Sequence, residues 1–70
     1  MSDVERTKLP GVGDRRDFVT QAGERIGVVT HRDGRRELLV YRREDPDSCY
    51  VVAELSDDDV RHLVELFDPS

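Results

Sequence analysis

Seventy residues suffice for one domain and not for two, and a chain this small buries only about 60% of the surface its unfolded form exposes. Sixteen acidic side chains against eleven basic ones give a net charge of -5, which argues against a surface built to neutralise nucleic-acid phosphates or an anionic membrane. Trp is absent and aromatic residues are scarce, so no stacking platform for single-stranded nucleic acid is in view, and the longest apolar run, Tyr50 to Ala53, is far too short to span a bilayer.

Residues 1 to 14 are polar and end in Pro10, Gly11 and Gly13, the composition of an N-terminal segment with room for a short edge strand at Glu5 to Leu9. Gly11-Val12-Gly13 lacks the Gly-Lys-Ser/Thr ending of a phosphate loop and the third glycine of a dinucleotide loop. It reads as a bend that delivers the chain into the first long strand. Arg16 to Gln21, Arg25 to Arg32 and Arg35 to Arg42 are rich in β-branched and aromatic residues and are separated by turn residues, as strands are. Asp33-Gly34, and more weakly Ala22-Gly23, mark hairpins. Two-residue loops at both would set Ile26 opposite Tyr41, Val28 opposite Leu39, Val29 opposite Leu38 and Val19 opposite Ile26, with the Phe18 ring over Gly27.

After the turn-rich stretch from Arg43 to Ser48, Cys49 to Leu55 predicts a fourth long strand. Ser56 is placed as an N-cap, with Asp57, Asp58 and Asp59 in the first helical turn, where the macrodipole favours negative charge. Val60, Leu63, Val64 and Phe67 then recur at the spacing of one apolar stripe, and Pro69 is expected to end the helix. The fold expected is α+β: a small antiparallel four- to five-stranded meander sheet or partial barrel with one C-terminal helix, residues 15–70 forming a single domain behind the 1–14 segment.

In the two-residue-loop register, Val19, Ile26, Val28, Leu39 and Tyr41 share one side of the sheet and Phe18, Val29, Leu38 and Val40 the other. Apolar side chains on both sides imply that both need cover. One helix of about three turns covers one side. The N-terminal segment, curling of the sheet or another chain must cover the second, and self-association is the expectation.

The remaining polar residues suggest no chemistry. Successive helical residues point about 100° apart, so Asp57, Asp58 and Asp59 cannot converge on one metal ion. Asp45 and Asp47 flank Pro46 without a third ligand and read as turn residues. His31, placed opposite Arg36, and His62 have no patterned cysteine, serine or carboxylate partner, and Cys49 reads as a small buried hydrophobe. A single cysteine and the lack of a charged-then-apolar leader fit a reducing, cytosolic setting. The readings are no enzyme, no cofactor and no metal. Arg35, Arg36, Arg42 and Arg43 remain as candidate partner contacts, since arginine is enriched at interfaces.

Leu9-Pro10-Gly11-Val12-Gly13, the hairpin from His31 to Glu37, the loop Glu44-Asp45-Pro46-Asp47 and the helix start Leu55-Ser56-Asp57-Asp58-Asp59, in that order and spacing, resemble the N-terminal domain of potassium/proton antiporter regulatory subunits. The likeness runs from Leu9 onward. In that family a domain of this length precedes a second one, similar to the C-terminal half of potassium-channel regulator modules, that binds a nucleotide second messenger. None of the family's ligand-binding residues has a counterpart in these 70. The resemblance implies a dimeric cytoplasmic accessory protein, peripheral to the membrane through a partner, that docks on a membrane antiporter and adjusts cation efflux. The alternative from a different class is a free-standing soluble adaptor or antitoxin-like binding module.

Overall fold

The computed structural model describes residues 4–45 and 47–68. Five strands follow one another as neighbours in one open antiparallel sheet: β1 (Glu5–Leu9), β2 (Gly13–Val19), β3 (Arg25–His31), β4 (Arg36–Tyr41) and β5 (Cys49–Leu55). The helix α1 (Asp57–Phe67) ends the described chain. The edge strand foreseen at Glu5 to Leu9 is β1, and of the two expected forms the sheet takes the open meander. Pro46 and Pro69 lie outside the described residues.

All three tight connections depend on a glycine with positive φ, but their lengths differ from the sequence-based expectation. Val12 N–H donates to the Leu9 carbonyl at 2.9 Å across Pro10-Gly11, and φ is +79° at Gly11, as a type II turn requires. The expected bend is therefore the β1–β2 turn. At the next two hairpins the loops hold three residues, not two. Gly34 N–H donates to the His31 carbonyl at 3.0 Å and His31 N–H to the Arg35 carbonyl at 2.8 Å. Gly23 and Thr20 repeat the pattern, with Gly23 N–H to the Thr20 carbonyl at 2.9 Å and Thr20 N–H to the Glu24 carbonyl at 2.7 Å. A type I turn followed by a left-handed glycine is the usual three-residue hairpin, and it does not ask Asp33 or Ala22 for positive φ.

One residue more in each loop slips each ladder by one. Phe18 pairs with Ile26 and Asp17 with Gly27, while Ile26 pairs with Val40 and Val28 with Leu38. The expected partners Tyr41, Leu39 and Val19 fall to the other side, because side chains alternate with period two. Phe18, Ile26, Val28, Leu38 and Val40 thus share one face with Arg16, and Asp17, Val19, Val29, Leu39 and Tyr41 share the opposite one. The ring expected over Gly27 is replaced by Asp17. A Cβ at Gly27 would lie 3.0 Å from that of Asp17 and 3.1 Å from the Arg16 carbonyl oxygen, so the missing side chain lets β2 and β3 close over a carboxylate.

Among the described residues the buried apolar side chains are Val29, Leu39 and Tyr41, all on the second face. No helix or second sheet covers them. The Arg25 guanidinium lies 5.1 Å from the centroid of the Tyr41 ring, so a charged side chain roofs part of this face. The first face is the one turned to α1, yet the helix packs only against β5 and none of its residues is buried. The expectation that α1 covers one face therefore fails. A bulge opposite Leu38 and Leu39 leaves Val52 as the extra residue of β5.

A candidate docking groove between helix and sheet

Ser56 starts the helix as foreseen. Its side chain accepts from Asp59 N–H at 3.2 Å, and Asp59 accepts from Ser56 N–H at 2.9 Å, which completes a capping box. Asp57 takes a further hydrogen bond from Arg36 at the start of β4. These bonds hold the Asp57 and Asp59 carboxyls below their usual range, through Arg36 at the first and through the Ser56 backbone at the second. The helix is fixed at its N-terminal end, and at its far end Phe67 is 84% exposed.

Held that way, α1 stands off the sheet. Val60, Leu63 and Phe67 look across a groove of about 480 Å³ at Phe18, Ile26, Val28 and Leu38, and Leu55 also lines it. Arg16 lies at its border, and in the β1–β2 ladder Arg16 is directly opposite Arg6. Among the described residues neither arginine has a carboxylate partner. Like charges directly opposite on neighbouring strands destabilise a sheet. A positive pair without a carboxylate partner among the described residues, beside an unfilled apolar groove in a chain of net charge -5, suits an acidic and apolar partner.

Of the four arginines singled out from sequence only Arg36 lines the groove, and the four do not gather at one place. Arg35 is tied to Asp33 at 2.8 Å and approaches Glu54 at 3.8 Å. Arg36 holds Asp57, and Arg42 stacks 5.6 Å from the Tyr50 ring centroid. Arg43 donates to the Ala22 carbonyl at 2.9 Å. The two pairs sit at opposite ends of β4, about 20 Å apart by strand rise.

Sequence reasoning missed the cluster around Asp17, whose side chain is 2% exposed. Asp17 accepts from Arg25 at 2.8 Å and from the Tyr41 hydroxyl at 3.4 Å, with Arg15 Nε at 3.3 Å. The hydrogen bond Arg25 donates to Asp17 raises the Arg25 pKa, and burial raises that of Tyr41. The carboxylate is enclosed by two guanidiniums that compensate its charge, so the cluster belongs to the fold. The signal for it was Arg15 and Asp17 two residues apart, hence on one face of a strand, and their meeting with Gly27, Arg25 and Tyr41 was visible only with the right register.

Two smaller expectations are corrected. His31 does have a carboxylate partner, Glu37, because the slipped register brings them diagonally together on one face. Cys49 is exposed rather than buried, since β5 is an edge strand. Asp45 serves its turn as expected, accepting from Asp47 N–H at 3.2 Å. No helix among the described residues is long and apolar enough to cross a membrane.

An open five-stranded meander whose single helix leaves an apolar groove unfilled defines a small α+β domain. Residues 2–70 match the family model of the N-terminal domain of the K(+)/H(+) antiporter subunit KhtT, and the chain belongs to that family. It is 28% identical over 64 residues to the K(+)/H(+) antiporter subunit KhtT of Bacillus subtilis, covering 91% of this chain and 39% of that protein. It is 30% identical over 60 residues to the uncharacterized protein YrvC of the same organism, covering 86% and 36%. To the ammonium/H(+) antiporter subunit AmhM of Alkalihalophilus pseudofirmus it is 31% identical over 55 residues, covering 79% and 33%. The chain thus spans between a third and two fifths of the length of these relatives.

Proposed function

We propose that the chain is a non-catalytic regulatory and oligomerisation domain of a cation/proton antiporter accessory subunit. It works in the cytoplasm and reaches the membrane through the antiporter rather than by inserting. Family membership supports the setting, with relatives named as subunits of a K(+)/H(+) and an ammonium/H(+) antiporter. The observation that carries the binding role is the unfilled groove between α1 and the sheet, with its apolar walls and, directly opposite one another beside it, Arg6 and Arg16. A groove of that make receives an acidic amphipathic segment of a partner. Self-association accompanies docking, because the surface left bare exceeds what one helix covers.

Co-purification with the cognate membrane antiporter in detergent tests the reading. Wild-type protein is expected to be retained. Phe18→Asp together with Arg16→Glu is expected to abolish retention, whereas Arg35→Glu, which leaves the Arg36–Asp57 bond in place, tests the β3–β4 turn as a second contact. Loss only in the Arg35 variant would move the contact from the groove to the turn. Failure of wild-type protein to be retained would overturn the docking role.

A further inference from the structure

The two edges of the open sheet are unlike. β1 carries Glu5, Arg6 and Lys8 among its five residues, and charges of this kind keep a free edge from pairing with another strand. β5 carries no charge from Cys49 to Ala53. Its Tyr50, Val51 and Val52 are 50%, 52% and 52% exposed. The outward N–H and C=O groups of an edge strand have no ladder partner, and the bulge leaves Val52 outside the regular ladder with β4 as well. An uncharged, β-branched, half-exposed edge is a template for strand addition.

We propose that β5 is the seam of a twofold homodimer, in which it pairs antiparallel with β5 of a second copy so that the two sheets run on as one of ten strands. This rests on the self-association proposed above and gives it a place. A second copy is the occupant because the edge complements itself. An antiparallel pair of identical strands is related by a dyad and closes after two chains. With the dyad at Val51, between Val51 and Val52, or at Val52, the lone charge of β5, Glu54, faces Ser48, Cys49 or Tyr50 of the second copy, all neutral. Parallel in-register pairing would instead set Glu54 beside Glu54, which like-charge repulsion disfavours. The bend at the bulge confines the new ladder to a few residues on each side of the dyad, and Ser56, where α1 begins, ends it. Tyr50 points to the helix face and Val51 to the opposite face, so the pairing covers apolar side chains on both.

The test is the mass in solution of the whole chain, by sedimentation equilibrium at matched micromolar concentrations, for wild type, Val51→Lys, Val51→Glu and an equimolar mixture of the two variants. The expectation is a wild-type dimer, a dissociation constant raised by about a hundredfold in each variant through like charges at the dyad, and a dimer regained in the mixture. A monomeric wild type overturns the dimer, and variants as dimeric as wild type, or a mixture that stays monomeric, overturn the seam. A second reading works without destabilising the edge. With Cys49 as the native thiol, single cysteines at Ala53, Glu54 or Leu55 sample the three dyad positions. One of them is expected to give a disulfide-linked dimer under oxidation that Cys49→Ser abolishes, and no crosslink at any of the three overturns the proposal. Neither measurement involves the antiporter, so failure here leaves the docking role standing on its own test.

Discussion

At the scale of single residues, the fold depends most on one carboxylate. Asp17 is 2% exposed and holds Arg25, Arg15 and the Tyr41 hydroxyl together over a face that no other element covers. Removing one partner of such a cluster leaves uncompensated charge, which costs about 3–5 kcal/mol where the pair is fully buried. Both guanidiniums still reach solvent, so Asp17→Ala is expected near the low end, about 3 kcal/mol, read from the urea midpoint. In a small domain with ~5 kcal/mol in all, that leaves little. Gly27→Ala acts on the same spot from the other strand. The new Cβ would press on Asp17 and on the Arg16 carbonyl, and a loss of about 1–3 kcal/mol is expected in the same titration. An unchanged midpoint for either variant would show that the cluster does not hold β2 to β3.

At the scale of elements, strand and helix were legible and register was not. β-Branched and aromatic content between turn residues marks the strands, and the Ser56 cap with its three aspartates marks the start of α1, because these are local physics. A glycine after Ala22 or Asp33 announces a hairpin equally well for a two-residue and a three-residue loop, and one residue decides which side chains share a face. The helical half of the groove, Val60, Leu63 and Phe67, was therefore readable as a stripe, whereas its sheet half was not. The Arg6 and Arg16 pair was hidden for a related reason, since it depends on the β1–β2 ladder, which composition does not number. The cap itself is testable. Ser56→Ala is expected to lower stability by about 1 kcal/mol and to reduce helical circular dichroism. The pH dependence has a definite sign. Asp57 and Asp59 are held below the ordinary aspartate value of 3.8, so their contribution is fully present above 3.8 and is lost as pH falls through the lower folded values. Helical signal should be flat between about pH 5 and 8 and fall only in acid below the ordinary carboxylate range. Loss of helix already at pH 5 would refute the assignment.

At the scale of the molecule, apolar residues divide into those that hold the fold and those that are displayed, and the division can be measured. Leu39 is buried on the roofed face, opposite Val51 and Gly27. Phe67 belongs to the stripe that sequence would place in a core, yet it is 84% exposed at the mouth of the groove. If burial sets the stabilising contribution, Leu39→Ala should cost about 2–3 kcal/mol and Phe67→Ala no more than about 0.5. Retention by the antiporter should run the other way. Phe67→Ala, folded and as stable as wild type, should lose binding, because aromatic anchors in apolar grooves carry a disproportionate share of interface energy. Urea midpoints and co-purification on the same two variants separate the roles. A Phe67→Ala protein that is as destabilised as Leu39→Ala would mean that α1 closes onto its own sheet in solution and fills the groove itself. A Phe67→Ala protein both stable and fully retained would remove the groove from the docking surface.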